Sequence, residues 1–187
     1  MRIIGGKFKG KKLIEPNDQK TRPLKDLAKE SIFNIINHSN KFSTDIKKSY
    51  VLDLFSGVGS FGIECLSQGA SHVTFIENYD GVLPILKNNL NNLKSKINYE
   101  IIESDILDKF EFKSLKFRYD IIFLDPPYKE RALENILNII IKNKILKDEG
   151  IIIIHRHKKE IEKFPEDFHL IDQKKYGISK IIFGSYF

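Results

Sequence analysis

From Tyr50 onward, short apolar runs alternate with stretches of helical spacing. YVLDLF (50–55), HVTFIE (72–77), NYEIIES (98–104), YDIIFLD (119–125) and GIIIIHR (150–156) are of strand length and rich in Val, Ile, Leu and Phe. Helical stretches lie between them at 60–68, 80–94 and 129–143, with a short one near 106–110. Near-continuous apolar strands separated by helices are what a parallel sheet covered on both faces requires. The tail from Phe168 lacks helical spacing and predicts two strands joined near Gly177, an antiparallel finish on the sheet edge. The pattern therefore predicts a doubly wound, mostly parallel α/β sheet of seven strands.

Before Tyr50 the rhythm differs. Residues 2–14 alternate apolar and polar around Gly5, Gly6 and Gly10, which predicts a short, bent β-hairpin. After Pro23, which suits the first turn of a helix, Leu24, Leu27, Ala28, Ser31, Ile32, Ile35 and Ile36 fall on one helical face. No internal repeat or low-complexity linker interrupts the chain. The expected organisation is one domain over 1–187, with 1–49 as an N-terminal hairpin and helix extension.

Composition narrows the class. The chain has 187 residues, 41% hydrophobic and 30% charged, which suits one globular domain and leaves no room for two enzyme domains. The longest unbroken aliphatic run, Ile151 to Ile154, is far short of the ~20 residues of a membrane span. The opening MRIIGGKFKGKK lacks the apolar stretch of a secretory signal, and the one cysteine, Cys65, excludes an internal disulfide. A cytoplasmic protein is expected, with Cys65 an inert core thiol. The net charge of +6 is unevenly placed: residues 1–50 hold 12 basic and 5 acidic residues, the remainder 19 and 20. A basic segment on a near-neutral body suggests a polyanion docking at one end, with Arg2, Lys7, Lys9, Lys11 and Lys12 as its first contacts. Phe8 among them is a candidate to stack on a base.

Candidate chemistry begins after the first strand. In DLFSGVGSFG (53–62), Gly57, Gly59 and Gly62 form G-x-G-x-x-G, and Glu77 ends the next strand. Glycines there allow a tight turn and close approach to a ligand, and the acid can bind a ribose diol. A dinucleotide and S-adenosylmethionine both fit such a turn. Asp53, an acid at the end of the first strand, suits a positive sulfonium and is a poor neighbour for pyrophosphate.

The second signal is DPPY at 125–128, directly after YDIIFL. Pro126 and Pro127 fix φ and remove two backbone donors, so the turn presents carbonyl oxygens outward. Asp125 adds a carboxylate and Tyr128 a flat face. An exocyclic amine on a planar ring needs that set: acceptors for its two hydrogens and a surface for the ring.

Asp53, Gly57, Gly59, Glu77, Asp105 and DPPY together resemble the class I methyltransferases that act on amino nitrogens. RIIGGKFKGKKL (2–13), TRPLKDLAKESIFNII (21–36) and LDLFSGVGSFGIECLSQGA (52–70) are similar to the bacterial 16S ribosomal RNA guanine-N2 methyltransferases of the RsmD type, and the likeness covers effectively the whole chain. The resemblance implies a Rossmann-like methyltransferase sheet and S-adenosylmethionine as the cofactor. It implies that Asp53, Phe55, Gly57 and Gly59 hold the methionine portion. Glu77 would bind the ribose hydroxyls, with Asn78 beside the adenine, Asp105 accepting from its amino group and Ile106 packing on its ring. Arg22 and Pro23 would border the pocket, and Asp125, Pro126, Pro127 and Tyr128 would hold the target guanine. The implied partner is 16S ribosomal RNA or the small subunit, met by a monomer without metal or membrane.

Two places depart from the family pattern. Leu24 and Lys25 precede Asp26 where many relatives have two threonines. His155-Arg156-His157 ends the fifth strand where relatives often carry a glutamate. His155 and His157 are expected on the surface, facing RNA. DPPY alone does not distinguish the amine of guanine from N6 of adenine, in RNA or in DNA. Glutamine methylation and an NAD-dependent reductase are further alternatives, but the chain shows neither an Asn-led turn nor a substrate domain.

Overall fold

The computed structural model describes residues 1–16, 24–108, 110–127 and 133–186. The expected Arg22, Pro23 and Tyr128 contacts lie outside those residues. A seven-stranded sheet in the order β3-β2-β1-β4-β5-β7-β6 forms the centre. Its strands are β1 (Tyr50–Leu54), β2 (His72–Glu77), β3 (Tyr99–Glu103), β4 (Tyr119–Leu124), β5 (Leu146–His157), β6 (His169–Tyr176) and β7 (Ser179–Ser185). The first five run parallel, and β7 inserts antiparallel between β5 and β6. The doubly wound α/β class is as expected, including the antiparallel finish turning at Gly177.

Each strand of the centre buries both faces. Val51, Phe75, Ile121 and Phe123 point into one apolar layer with α1 (Asp26–His38), α2 (Ser60–Ser67) and α3 (Leu83–Asn91). Leu52, Leu54, Ile122 and Leu124 point into the other, covered by α4 (Leu133–Lys142). The expected helix near 106–110 is instead a turn closed by the Asp105 carboxylate on the Leu107 N–H, followed by one 3-10 turn over Phe112–Ser114. A short polar side chain that accepts from the backbone two residues on competes with helix formation.

The hairpin is minimal: an antiparallel bridge pairs Arg2 with Lys12 around a 3-10 turn at Gly6–Phe8. It belongs to the core, because Ile3, Phe8 and Leu13 are buried in the α1–α3 layer. Phe8 is therefore not free to stack on a base. Its ring is buried, with the Lys7 and Lys11 ammonium groups 5.4 and 5.3 Å from its centroid. Helix α1 is rotated from the face expected. It buries Ala28, Lys29, Ile32, Phe33 and Ile36, whereas Leu27 is 62% exposed.

Lys29 turns inward because Glu64 of α2 waits there. Its ammonium group lies 3.8 Å from the Glu64 carboxylate and donates to the Arg2 carbonyl, while Glu64 accepts from the Ile4 and Gly5 N–H groups. Burial pulls the Lys29 pKa down, and Glu64 opposes that shift. This buried pair ties hairpin, α1 and α2 together. Part of the positive charge of the first 50 residues is thus internal.

Candidate active site at the carboxyl edge of the sheet

After β3 the chain crosses back to the other side of β1, so the carboxyl ends of β1 and β4 form the switch point of the sheet, where such folds hold their ligands in a crevice. The Asp125 N–H donates to the Leu54 carbonyl at 3.3 Å, which brings the Asp-Pro-Pro turn beside the glycine turn. Asp53, Glu77 and Asp125 stand at the carboxyl ends of β1, β2 and β4, near enough for the charges of Glu77 and Asp125 to act on Asp53, and Asp105 follows the end of β3.

The glycine turn is built locally. Phe55 and Gly57 have φ of 59° and 54°, and Gly59 has 83°. A Cβ on Gly57 would meet no protein atom within 4 Å, so this part of the turn faces open space. At Gly59 a Cβ would come within 2.5 Å of Leu86 of α3, so that glycine serves packing. Glu77 reaches across from β2, accepting from the Gly57 N–H at 2.7 Å and from the Asn78 and Tyr79 N–H groups. Ile106 is buried in the layer beneath.

Asp53 is the uneasy member. Its carboxylate is buried, and one oxygen accepts from the Gly62 N–H at 2.9 Å while the other has no partner among the described residues. Burial raises its pKa well above the usual carboxylate value; the Gly62 bond opposes this, and the Asp125 and Glu77 charges add to it. A buried carboxyl group that burial disfavours as an anion, with one oxygen unpartnered among the described residues, fits a ligand that brings a positive charge.

The Asp-Pro-Pro turn is held from a distance. Asp125 Oδ1 lies 2.8 Å from His155 Nδ1, and His155 Nε2 lies 2.9 Å from the Ser179 hydroxyl. On the opposite face of β5, Arg156 donates to the Pro127 carbonyl at 3.0 Å and, more weakly, to that of Pro126 at 3.4 Å. Arg156 also pairs with Glu162 at 3.0 Å, and Lys180 of β7 joins them at 3.7 Å. Successive strand residues point to opposite faces, so His155 and Arg156 grip the turn from both sides of the sheet.

This corrects two expectations. His155 is buried rather than a surface group, as is its neighbour Arg156, because β7 and β6 lie beyond β5 and cover its end; His157 is half-buried. The Pro127 carbonyl faces Arg156 instead of being wholly free. The signal was present in IIII-HRH, since two polar residues closing a strand buried on both faces need partners.

The basic residues of the hairpin sit elsewhere. Lys7 donates to Ser95 Oγ at 2.7 Å, and Lys11 to the Asn92 and Leu93 carbonyls at the end of α3. Because α3 runs back from the carboxyl edge, these two lie toward the amino edge of the sheet. Arg2, Lys9 and Lys12 are exposed. Cys65 is buried in α2, and burial pushes its thiol pKa well up.

Residues 1–185 match the family described as conserved hypothetical protein 95. The ribosomal RNA small subunit methyltransferase D of Haemophilus influenzae is 35% identical, over 95% of this chain and 90% of that protein. A solved Escherichia coli structure described as a putative methyltransferase superposes with a TM-score of 0.81 at 30% identity, covering 100% of this chain and 97% of that one. A more distant putative methyltransferase, described as complexed with SAH, shares the fold at a TM-score of 0.63 and 19% identity, over 82% of this chain and 48% of that one. A family match across nearly the whole length, with a curated relative at this identity, shows that the chain belongs to the RsmD family of ribosomal RNA methyltransferases.

Proposed function

We propose that this chain transfers a methyl group from S-adenosylmethionine to the exocyclic N2 of a guanine in 16S ribosomal RNA. The observation that carries the reading is the adjacency of two turns at one crevice. One is a glycine cradle beside an orphaned buried carboxylate, Asp53; the other is the Asp125-Pro126-Pro127 turn. S-adenosylmethionine, when bound, supplies a methyl group on a positive sulfur that leaves as a neutral thioether.

The chain's own residues bind and orient. Asp53 lies where a positive ligand charge offsets its burial, with Phe55, Gly57 and Gly59 forming the cradle. Glu77 would exchange backbone donors for ribose hydroxyls. Asn78, Asp105 and Ile106 would complete the adenine end, and the family resemblance assigns Arg22 to the cofactor as well. The free oxygen of Asp125 and the Pro126 carbonyl accept the two hydrogens of the target amine, and Tyr128 offers its ring to the base. A guanine amine is a weak nucleophile because its lone pair is delocalised into the ring. Fixed acceptors that favour a more tetrahedral nitrogen, aimed at the methyl carbon, supply what it lacks. The nitrogen can release its proton after methylation, so a strong base is not required. The base must leave its stack to reach this crevice.

RNA docking draws on the exposed Arg2, Lys9 and Lys12, with Lys7 and Lys11 reaching phosphates while they anchor the hairpin, so affinity should fall with salt. Incubating the protein with labelled S-adenosylmethionine and small-subunit RNA or particles, then identifying the labelled nucleoside, tests the reading. N2-methylguanosine is the expected product. Labelled N6-methyladenosine, or label in protein, would overturn it.

A further inference from the structure

The Asp125-His155-Ser179 hydrogen-bonded chain has a specific geometry. The His155 ring is 5% exposed, and both of its nitrogens have partners, Asp125 Oδ1 at 2.8 Å and Ser179 Oγ at 2.9 Å. An ionised carboxylate can only accept, so Nδ1 carries the hydrogen between ring and Asp125. When the ring is neutral, Nε2 is left with a lone pair, to which the Ser179 hydroxyl, which can donate or accept, donates. Ser179 is itself buried on β7, two positions along from the residue that pairs with His155. The tautomer of His155 is thereby set by its surroundings, and one Asp125 oxygen is permanently taken.

We infer that His155 is a positioning residue: it fixes the Asp125 carboxylate in one orientation and leaves its second oxygen for the target amine. This rests on the methyl-transfer reading above. The Asp125 side chain is 18% exposed, so it borders the crevice while its other oxygen is tied inside. A carboxylate at a strand end is free to rotate about its last bond unless something holds it, because that torsion is broad. Misplacement of a reacting contact by about 1 Å costs on the order of 10²-fold in rate. Arg156 holds the backbone of the same turn from the opposite face, so the lost element would be the orientation of one side chain rather than the turn.

The test compares His155→Leu with His155→Asn. Asparagine can place an amide N–H near the position of Nδ1; leucine cannot. For His155→Leu the turnover at saturating RNA should fall roughly 10- to 100-fold, with the RNA KM and the affinity for S-adenosylhomocysteine within about 3-fold of wild type. The Asn variant should recover most of the turnover. Leu turnover within 3-fold of wild type, or a folded Asn variant as slow as Leu, would overturn the inference. Should the Leu variant not fold, long-range proton–nitrogen NMR on the wild type decides. It should show His155 as the Nδ1–H tautomer, changing to Nε2–H in Asp125→Ala, whereas an Nε2–H wild type contradicts the inference. Failure of the methylation reading looks different, since the wild type would then transfer no methyl group to RNA.

Discussion

The two turns that meet at the crevice are built by opposite strategies. The glycine turn after β1 is made almost entirely from its own residues and the strand beside it, through left-handed backbone at Phe55, Gly57 and Gly59 and a carboxylate reaching over from Glu77. The Asp-Pro-Pro turn after β4 has few donors of its own. It is fixed by His155 and Arg156, about 30 residues further on. Short sequence patterns capture the first kind of construction and miss the second. The cofactor half of the site should accordingly tolerate changes in β5, and the target half should not.

The sharpest way to break this contrast is Asp125→Ala. It removes the side-chain acceptor without touching the glycine turn, so turnover should drop by about 10² or more. Calorimetric affinity for S-adenosylhomocysteine should hold. Parallel loss of both would mean that the two turns are one unit.

Glu77→Ala attacks the other half. Its carboxylate holds the Gly57 N–H and would take the ribose hydroxyls, and hydrogen bonds to a charged group contribute about 1.5–3 kcal/mol each. Cofactor affinity should weaken roughly 10- to 100-fold. Turnover at saturating cofactor should stay nearer to normal than in Asp125→Ala.

Much of this was legible before the fold. Strand alternation and helix spacing placed the sheet, because a parallel sheet must bury both faces and so writes continuous apolar runs into the sequence. The Gly57 and Gly59 spacing and Asp125 were legible because each lies within its own turn, and Glu77 because it ends the strand beside β1. What stayed hidden was polar burial across long separations. Lys29 lies off the apolar face that helical spacing predicts and is buried because Glu64 lies opposite it, and the cover of His155-Arg156, β7, comes later in the chain. Burial of a charge depends on its partner, and a single element does not reveal the partner.

Arg156→Ala sharpens the comparison at intermediate size. It leaves Glu162 without its guanidinium in a mostly buried setting, and breaking such a pair costs about 3 kcal/mol or more. For a chain of this length that is a Tm loss of roughly 6 to 12 °C by thermal scan. Below that temperature, turnover should fall while S-adenosylhomocysteine still binds.

Asp53→Asn should give the smallest effect and an opposite sign in stability. Burial raises the folded-state pKa of Asp53, so the folded protein keeps a proton over a range where the unfolded chain has lost it. Stability therefore falls as pH rises from about the ordinary carboxylate value through the raised one, and the cost persists at neutral pH. The unliganded Asn variant should melt about 2–4 °C higher at pH 7, with a flatter pH dependence, as expected for about 1 kcal/mol. Its affinity for the positively charged S-adenosylmethionine should weaken more than that for neutral S-adenosylhomocysteine. A lower melting temperature would mean that Asp53 is ionised and well satisfied in the folded state.

The most direct measurement takes wild type and Asp125→Ala, each shown by calorimetry to bind S-adenosylhomocysteine, and treats unmethylated small-subunit particles with either protein plus S-adenosylmethionine. The RNA is then digested and its nucleosides are separated by mass. The account predicts N2-methylguanosine with the wild type and almost none with the variant. Equal N2-methylguanosine from both proteins, or a methylated base other than guanine, would contradict it.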